Sequence, residues 1–188
     1  AVAFVSSLSH LLESSSFFTR LGAVIIGTLT AIVFCRLLIN SGVKDRLAIS
    51  TGLTLAMGNL MGLVFGFLTT PDTALLFAWT LALNESAVAL KGKGHRWRWL
   101  TAGLATGVGL LSKYTMTLIG PVFLIGLIYS DRKALKTGWP YAGGLVALLM
   151  FLPQINWNSN HDNVTFKFQF AHGFSMDRPE FEATLPAP

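Results

Sequence analysis

Thr69-Thr70-Pro71-Asp72 separates two long apolar runs, Leu53 to Leu68 before it and Ala74 to Leu83 after it. Its aspartate is the only acidic residue between Asp45 and Glu85. An acid between two apolar runs lies either at a membrane surface or in a cavity cut into a membrane protein. The rest of the sequence bears on that choice.

The composition is that of a polytopic membrane protein. Of the 188 residues, 52% are hydrophobic and 12% are charged, and the mean hydropathy is +0.57. The charged fraction is about half that of an ordinary soluble domain. Apolar stretches of about 20 residues recur, and the 18 glycines would let transmembrane helices approach closely. We predict an all-α fold, a polytopic transmembrane helical bundle with about six membrane segments.

The domain organisation follows from the apolar runs. Residues 1–16 predict an interfacial or outer-face helix end, 17–155 a transmembrane domain, and 156–188 a polar, aromatic tail on the outer face. The predicted segments are residues 17–39, 47–68, 73–90, 99–111, 117–129 and 139–155.

The fourth and fifth segments form a predicted hairpin around Ser112-Lys113-Tyr114-Thr115. Each arm has roughly 13–15 residues, about 20–23 Å of helix, whereas the hydrocarbon core is about 30 Å thick. We therefore expect the Lys113 turn to be recessed below the membrane surface.

The basic residues predict the orientation. Nine of the 14 Lys and Arg residues lie in three alternate loops, which the positive-inside rule places in the cytoplasm. They are Lys44, Arg46, Lys91, Lys93, Arg96, Arg98, Arg132, Lys133 and Lys136. The loop containing Asp72, the Lys113 turn and the tail from Asn156 would then share the outer side. The net charge of +5 is thus explained by topology, and we expect no nucleic-acid partner.

The termini and the single cysteine set further limits. Cys35 has no partner for an intramolecular disulfide. The chain opens with Ala1 rather than Met and shows no signal peptide, so we expect it to be a fragment of a longer protein.

Asp72 and Lys113 are the main candidates for chemistry on the outer side. Asp72 suits a helix start, with Thr70 as N-cap and Pro71 in the first turn, and it could also orient a substrate hydroxyl, an acceptor or a metal. Lys113 either snorkels to water or binds an anion, for which a lipid phosphate is suitable. Tyr114 could add a hydroxyl donor.

Weaker candidates lie in the tail. His161 is next to Asp162, but the spacing is not that of a strong metal site. Gln169 belongs to residues 164–170, which alternate apolar and polar side chains and indicate a strand or an interfacial segment. No glycine-rich phosphate loop occurs in a strand–helix context, which argues against a nucleotide-binding domain.

Several of these pieces, taken in order, resemble the bacterial branch of the protein O-mannosyltransferase family, to which lipid A aminoarabinose transferases are related. The resemblance spans roughly residues 8–173. It is carried by Phe17-Phe18-Thr19-Arg20-Leu21, Thr69-Thr70-Pro71-Asp72, Gly103 to Gly107, Leu110 to Thr115, Phe151-Leu152-Pro153, Trp157-Asn158, His161 and Phe166 to Gln169.

The resemblance implies an inverting membrane glycosyltransferase of the GT-C architecture (glycosyltransferase family 39 type). Its donor would be a sugar on a polyprenyl phosphate, and its acceptor a protein or glycolipid at the outer face of the bacterial inner membrane. A divalent metal is left open. The family's catalytic acid, in the first outer loop, would precede Ala1, so the fragment alone is expected to be inactive.

The resemblance also assigns roles to individual residues. Asp72 matches the acid of the family's Thr-Pro-Asp motif and would orient the acceptor or the missing loop. Lys113 matches the Ser-Lys-Tyr turn and would bind the donor phosphate, together with Arg20, which matches an Arg-Leu pair. Tyr114, His161 and Gln169 complete the predicted substrate-binding set.

Two other classes of function stay open on sequence alone. A transporter or flippase would move a lipid-linked substrate without forming a glycosidic bond. A structural membrane subunit would need Asp72 and Lys113 for stability only.

Overall fold

The protein is described by a computed structural model over residues 16–58 and 70–168, apart from the side chains of residues 16–20, 57 and 93. All regular structure in these ranges is helical, which confirms the all-α prediction there. The α-helices are α1 (Ser16–Asn40), α2 (Arg46–Gly58), α3 (Pro71–Ala89), α4 (Arg98–Ser112), α5 (Ile119–Ser130) and α6 (Trp139–Ser159). Short 3₁₀ helices occupy Lys93–His95, Tyr114–Leu118 and Ala134–Lys136. Two parts of the predicted organisation lie outside the described residues. They are residues 1–15 of the predicted segment 1–16, and residues 59–69, which hold the end of the second predicted membrane segment and Thr69.

One helix in the described ranges, Leu21–Asn40 within α1, is long and apolar enough to cross a membrane. The stretch Tyr114–Ser130 is apolar but shorter. Helix α3 has sufficient length, but Asp72, Asn84 and Glu85 interrupt its apolar character. The predicted bundle of about six membrane segments therefore stays a prediction.

Helix α3 begins as the sequence predicts. Thr70 has extended backbone angles (φ −115°, ψ 159°) and occupies the N-cap position, and Pro71 opens the first turn. Proline suits this position because the first N–H groups of a helix have no partner within it. Asp72 lies in the same turn, where a carboxylate complements the helix dipole. Gly92, with φ of +147°, supports the chain reversal after the other end of α3.

The predicted break around Lys113 is also present. Lys113 adopts an extended conformation (φ −158°, ψ 137°) between α4 and the 3₁₀ helix Tyr114–Leu118. Its backbone N–H still donates to the Gly109 carbonyl (2.9 Å), and its carbonyl accepts from the Met116 N–H (3.1 Å). The turn is therefore a hydrogen-bonded joint between two helices.

Small side chains bring the central helices together. Helix α3 contacts α4 along much of its length, and α1 packs on α3 as well. The core between them contains Ala78 and Ala82 from α3 and Ala105 from α4, closed by Met116 and Ile119. Because alanine adds little width, the backbones of α3 and α4 lie close enough for side chains at their ends to meet.

Helices α4 and α6 cross at two glycines. A Cβ at Gly103 would overlap the carbonyl oxygen of Gly143, and a Cβ at Gly143 would overlap the carbonyl oxygen of Trp99. Only glycine allows this backbone contact.

The described chain divides into two compact units after Phe151. In the second unit α6 continues to Ser159, so residues 156–159, predicted as tail, are helical. Residues 164–168 are helical too, so the strand interpretation is wrong there. The reason is local: the chain turns through left-handed angles at Asp162 and Asn163, and the Asn158 side-chain oxygen accepts from the Thr165 N–H (3.1 Å) at the start of the new turn.

Candidate functional site

The first turn of α3 meets the end of α4 at an ion pair. Lys113 Nζ donates to Asp72 Oδ1 at 2.6 Å. The lysine side chain is 45% exposed and the aspartate side chain 31% exposed. Asp72 and Lys113, the main candidates from the sequence, are 41 positions apart in the chain and lie in direct contact.

The backbone explains why this contact forms. Asp72 projects from the beginning of α3, whereas Lys113 follows the last residue of α4. Since α3 and α4 pack side by side and run in opposite directions, the start of one lies beside the end of the other. The extended backbone of Lys113 takes its side chain out of the α4 helix and toward α3.

The pair can bind an anion without being broken. An ammonium group has three hydrogens, and one of them is directed at Asp72. With almost half of the lysine side chain exposed, the other two can reach a ligand. Asp72 meanwhile holds the ammonium in place as its anionic partner.

Aromatic packing supports the same turn. The Tyr114 ring packs edge-to-face on Phe151, with ring centroids 5.8 Å apart. Such contacts restrict the orientation of the ring. Tyr114 therefore lies next to the pair, as its place in the sequence requires, in a defined orientation.

An apolar groove begins beside the turn. It has a volume of about 380 Å³ and lies between α4, α5 and α6; we name it the α4–α6 groove. Leu110, Met116 and Thr117, which flank Lys113 in sequence, line it near the turn, and Tyr141 and Leu135 belong to its lining further along.

The other predicted site residues, Arg20, His161 and Gln169, belong either to the second unit or to parts of the chain whose side chains are not described. Arg20 belongs to α1, but its side chain is outside the described set, and so is all of Gln169. His161 lies in the second unit, where its ring stacks on Trp157 (centroids 4.2 Å apart, 12° between planes). Its Nδ1 is 2.7 Å from the Trp157 carbonyl oxygen. Within the described residues, no three His, Cys, Asp or Glu side chains are grouped as metal ligands.

A polar network that sequence reasoning missed lies at the opposite end of α3 and α4. Glu85 is only 6% exposed, and its Oε2 accepts from Arg98 NH1 (2.8 Å) and from the Thr101 hydroxyl (2.7 Å). Its Oε1 accepts from the Asn84 side chain (3.1 Å), which in turn accepts from Asn40 of α1 (2.9 Å).

One signal in the sequence could have indicated this network. A carboxylate inside an apolar helix requires a partner, and the next helix begins with a cation. Which cation pairs with Glu85 depends on the sides of α3 and α4 that pack against each other, and the sequence alone does not show those sides.

Comparison with known proteins gives one match. A family profile described as dolichyl-phosphate-mannose-protein mannosyltransferase matches residues 1–157. Neither the curated proteins nor the solved structures contain a significant match.

Proposed function

Because the chain belongs to the dolichyl-phosphate-mannose-protein mannosyltransferase family, a family of membrane glycosyltransferases, we propose that it forms the donor-phosphate side of the active site of such an enzyme. The donor is a sugar on a polyprenyl phosphate, and the acceptor is a protein or glycolipid at the outer face of the membrane. The observation that carries this proposal is the contact between Lys113 and Asp72 at the adjoining ends of α3 and α4.

The proposed chemistry is an inverting transfer. An acceptor hydroxyl attacks the anomeric carbon, the bond from that carbon to the phosphate oxygen breaks, and the electron pair leaves with the polyprenyl phosphate. The hydroxyl proton passes to a carboxylate, which the family resemblance places in an outer loop that would precede Ala1. Lys113 stabilises the negative charge that develops on the leaving phosphate, as a fixed cation at a site of charge development does.

Asp72 is a positioning residue in this scheme. It holds the Lys113 ammonium at 2.6 Å and leaves two of its hydrogens for the phosphate. The α4–α6 groove, whose lining includes Leu110 and Met116 three positions on either side of Lys113, offers an apolar surface for the first part of the prenyl chain. Arg20, His161 and Gln169 remain proposed substrate contacts on the basis of the resemblance.

Surface character supports the membrane location. Large apolar side chains are exposed on α1, α5 and α6, for example Ile25 (50%), Leu124 (51%) and Leu149 (53%). Soluble monomers rarely expose so many together, whereas lipid-facing helices do.

The test is sugar transfer by the full-length protein with a polyprenyl-phosphate-linked donor. We expect Lys113→Ala to lower kcat about 10²-fold or more, the effect of removing one stabilising group from a charged transition state. Asp72→Asn should lower it less, since the lysine remains.

Lys136→Ala is the matched control, because Lys136 is exposed and lies in a different loop, in the 3₁₀ helix Ala134–Lys136. It should transfer sugar like the parent. Normal turnover by a well-folded Lys113→Ala variant would remove Lys113 from the mechanism. Movement of the donor without a glycosidic product would indicate a carrier instead.

A further inference from the structure

A second groove runs between α3 and α4, and its polar end lies at the end of the two helices opposite the Lys113–Asp72 pair. It has a volume of about 320 Å³ and apolar walls, and we name it the α3–α4 groove. Its lining consists of Phe77, Ala78, Leu81, Leu104, Ala105 and Val108, with Glu85, Arg98 and Thr101 at one end. The proposed transfer reaction does not use this groove.

Arg98 is fixed in position at the polar end of the groove. Its NH1 donates to Glu85 at 2.8 Å, and its guanidinium carbon lies 4.8 Å from the centre of the Trp97 ring. The side chain nevertheless stays 35% exposed, and its buried Nε has no hydrogen-bond partner. Arginine has five N–H donors in a planar fork, so the exposed part of the guanidinium retains donors beyond the bond to Glu85, whereas the buried Nε does not reach a ligand.

The carboxylate in the same groove is buried and hydrogen-bonded at both oxygens. Both oxygens of Glu85 are occupied: Oε2 by Arg98 and Thr101, and Oε1 by Asn84. Its side chain is 8% exposed, against 35% for Arg98. The group that the groove presents outward is therefore the arginine.

The surroundings share the positive sign. Lys91 is exposed, and its ammonium donates to Asn40 rather than to a carboxylate. Trp97, 47% exposed, adds an aromatic side chain of the kind that is enriched at head-group depth. A basic end next to an apolar channel is complementary to a molecule with a negative head and a hydrocarbon tail.

We propose that the α3–α4 groove binds an anionic phospholipid, with the phosphate on Arg98 and one acyl chain along Phe77, Leu81 and Leu104. This inference rests on the membrane location proposed above, but not on the transfer chemistry. The bound lipid would lie along the groove between α3 and α4, with its head group at the end that contains Glu85 and Arg98.

The acyl-chain part is tested by filling the groove. Leu104→Trp places an indole in the groove, whereas Leu111→Trp, on the same helix and equally exposed at 51%, does not line it. The full-length protein is purified from bilayers of phosphatidylglycerol and phosphatidylcholine with the same chains, and the retained lipid is counted by native mass spectrometry. We expect Leu104→Trp to reduce retained phosphatidylglycerol about tenfold, the effect of roughly 1.4 kcal/mol of binding free energy. Leu111→Trp should retain it.

The head-group part is tested by removing the cation without leaving the buried carboxylate unpaired. The double variant Glu85→Gln/Arg98→Gln keeps hydrogen-bonding groups at both positions. We expect it to lose the preference for phosphatidylglycerol over phosphatidylcholine, while Arg132→Gln, an exposed residue outside this groove, keeps the preference.

Equal retention of both lipids by the parent, or identical lipid content in Leu104→Trp and Leu111→Trp, would overturn the proposal. Sugar transfer is measured separately on the same preparations. A protein that transfers sugar but shows no lipid preference contradicts only this inference, and one that retains the lipid but forms no product contradicts only the proposed function.

Discussion

At the scale of single residues, α3 carries one carboxylate near each end, and each is paired with a cation on α4 or directly after it. Asp72 and Lys113 stand out in the sequence because each interrupts apolar residues, and both were predicted as site residues. Their direct contact was not predicted, because it depends on how α3 faces α4. The contacts of Glu85 with Arg98 and Thr101 depend on the same packing and could not be predicted either.

The Glu85 network leads to a prediction about stability. Glu85→Ala leaves Arg98 and the Asn84 amide without this acceptor, while Thr101 keeps the Arg98 carbonyl, and breaking a buried ion pair from one side costs about 3–5 kcal/mol. We expect a decrease toward the lower part of that range, because the Arg98 side chain is 35% exposed and stays partly hydrated. Reversible unfolding of the full-length protein in mixed micelles measures it.

Glu85→Gln is the matched comparison. It removes the charge and turns one oxygen into an amide donor but keeps the other oxygen as an acceptor, so its decrease should be smaller than that of Glu85→Ala. If Glu85→Ala unfolds within about 0.5 kcal/mol of the parent, the range of an ordinary surface change, the network contributes nothing to stability.

At the scale of helices, the sequence predicted existence and most boundaries. The start of α3 at Pro71 and the break at Lys113 follow from local chemistry, since proline favours a first turn and a polar tetrapeptide interrupts an apolar run. The sequence predicts that the last segment ends at residue 155, but α6 continues to Ser159 because the polar residues Asn156 to Ser159 are also helical. The crossing of α4 and α6 could not be predicted, because glycines indicate close approach without naming the partner helix.

The α4–α6 crossing leads to a prediction with a neighbouring control. A methyl group at Gly143 would overlap the Trp99 carbonyl, whereas one at Gly144 meets nothing within 4 Å. We expect Gly143→Ala to lower the unfolding free energy by about 1–3 kcal/mol through overpacking. Gly144→Ala should leave it unchanged or raise it by up to about 1 kcal/mol, because alanine is the better helix former.

The same unfolding measurement in mixed micelles compares the two variants. Equal stabilities would contradict the backbone contact between α4 and α6.

At the scale of the whole molecule, the mean hydropathy indicates a membrane protein, but it does not establish how many helices cross the membrane. In the described ranges only Leu21–Asn40 meets the length and apolarity of a lone span. Helix α3 fails that test because of polar residues such as Thr80, Asn84 and Glu85, which are buried in the fold. Sequence composition cannot distinguish a buried polar side chain from one that would face lipid.

The predicted topology can be read by labelling single cysteines. Cys35 is the only cysteine among the 188 residues, so Cys35→Ser in the expressed 188-residue chain provides a background without thiols. Thr115→Cys and Lys136→Cys then place one thiol each at exposed positions on either side of α5. With the basic loops inside, a membrane-impermeant maleimide applied to intact cells should label Thr115→Cys and not Lys136→Cys.

Both positions should react after the membrane is permeabilised, which controls for accessibility. Labelling of both thiols in intact cells would show that α5 does not separate two compartments.

The two ion pairs between α3 and α4 also bear on how the protein is made. Asp72 with Lys113, and Glu85 with Arg98, cancel in charge at each end of the helix pair. A nascent α3 emerging alone would carry two carboxylates without their cations, whereas α4 and the residue after it provide Arg98 and Lys113 as partners. We therefore expect the insertion machinery to release them into the bilayer as one hairpin, with Lys91 in the connecting loop among the charges that set its orientation.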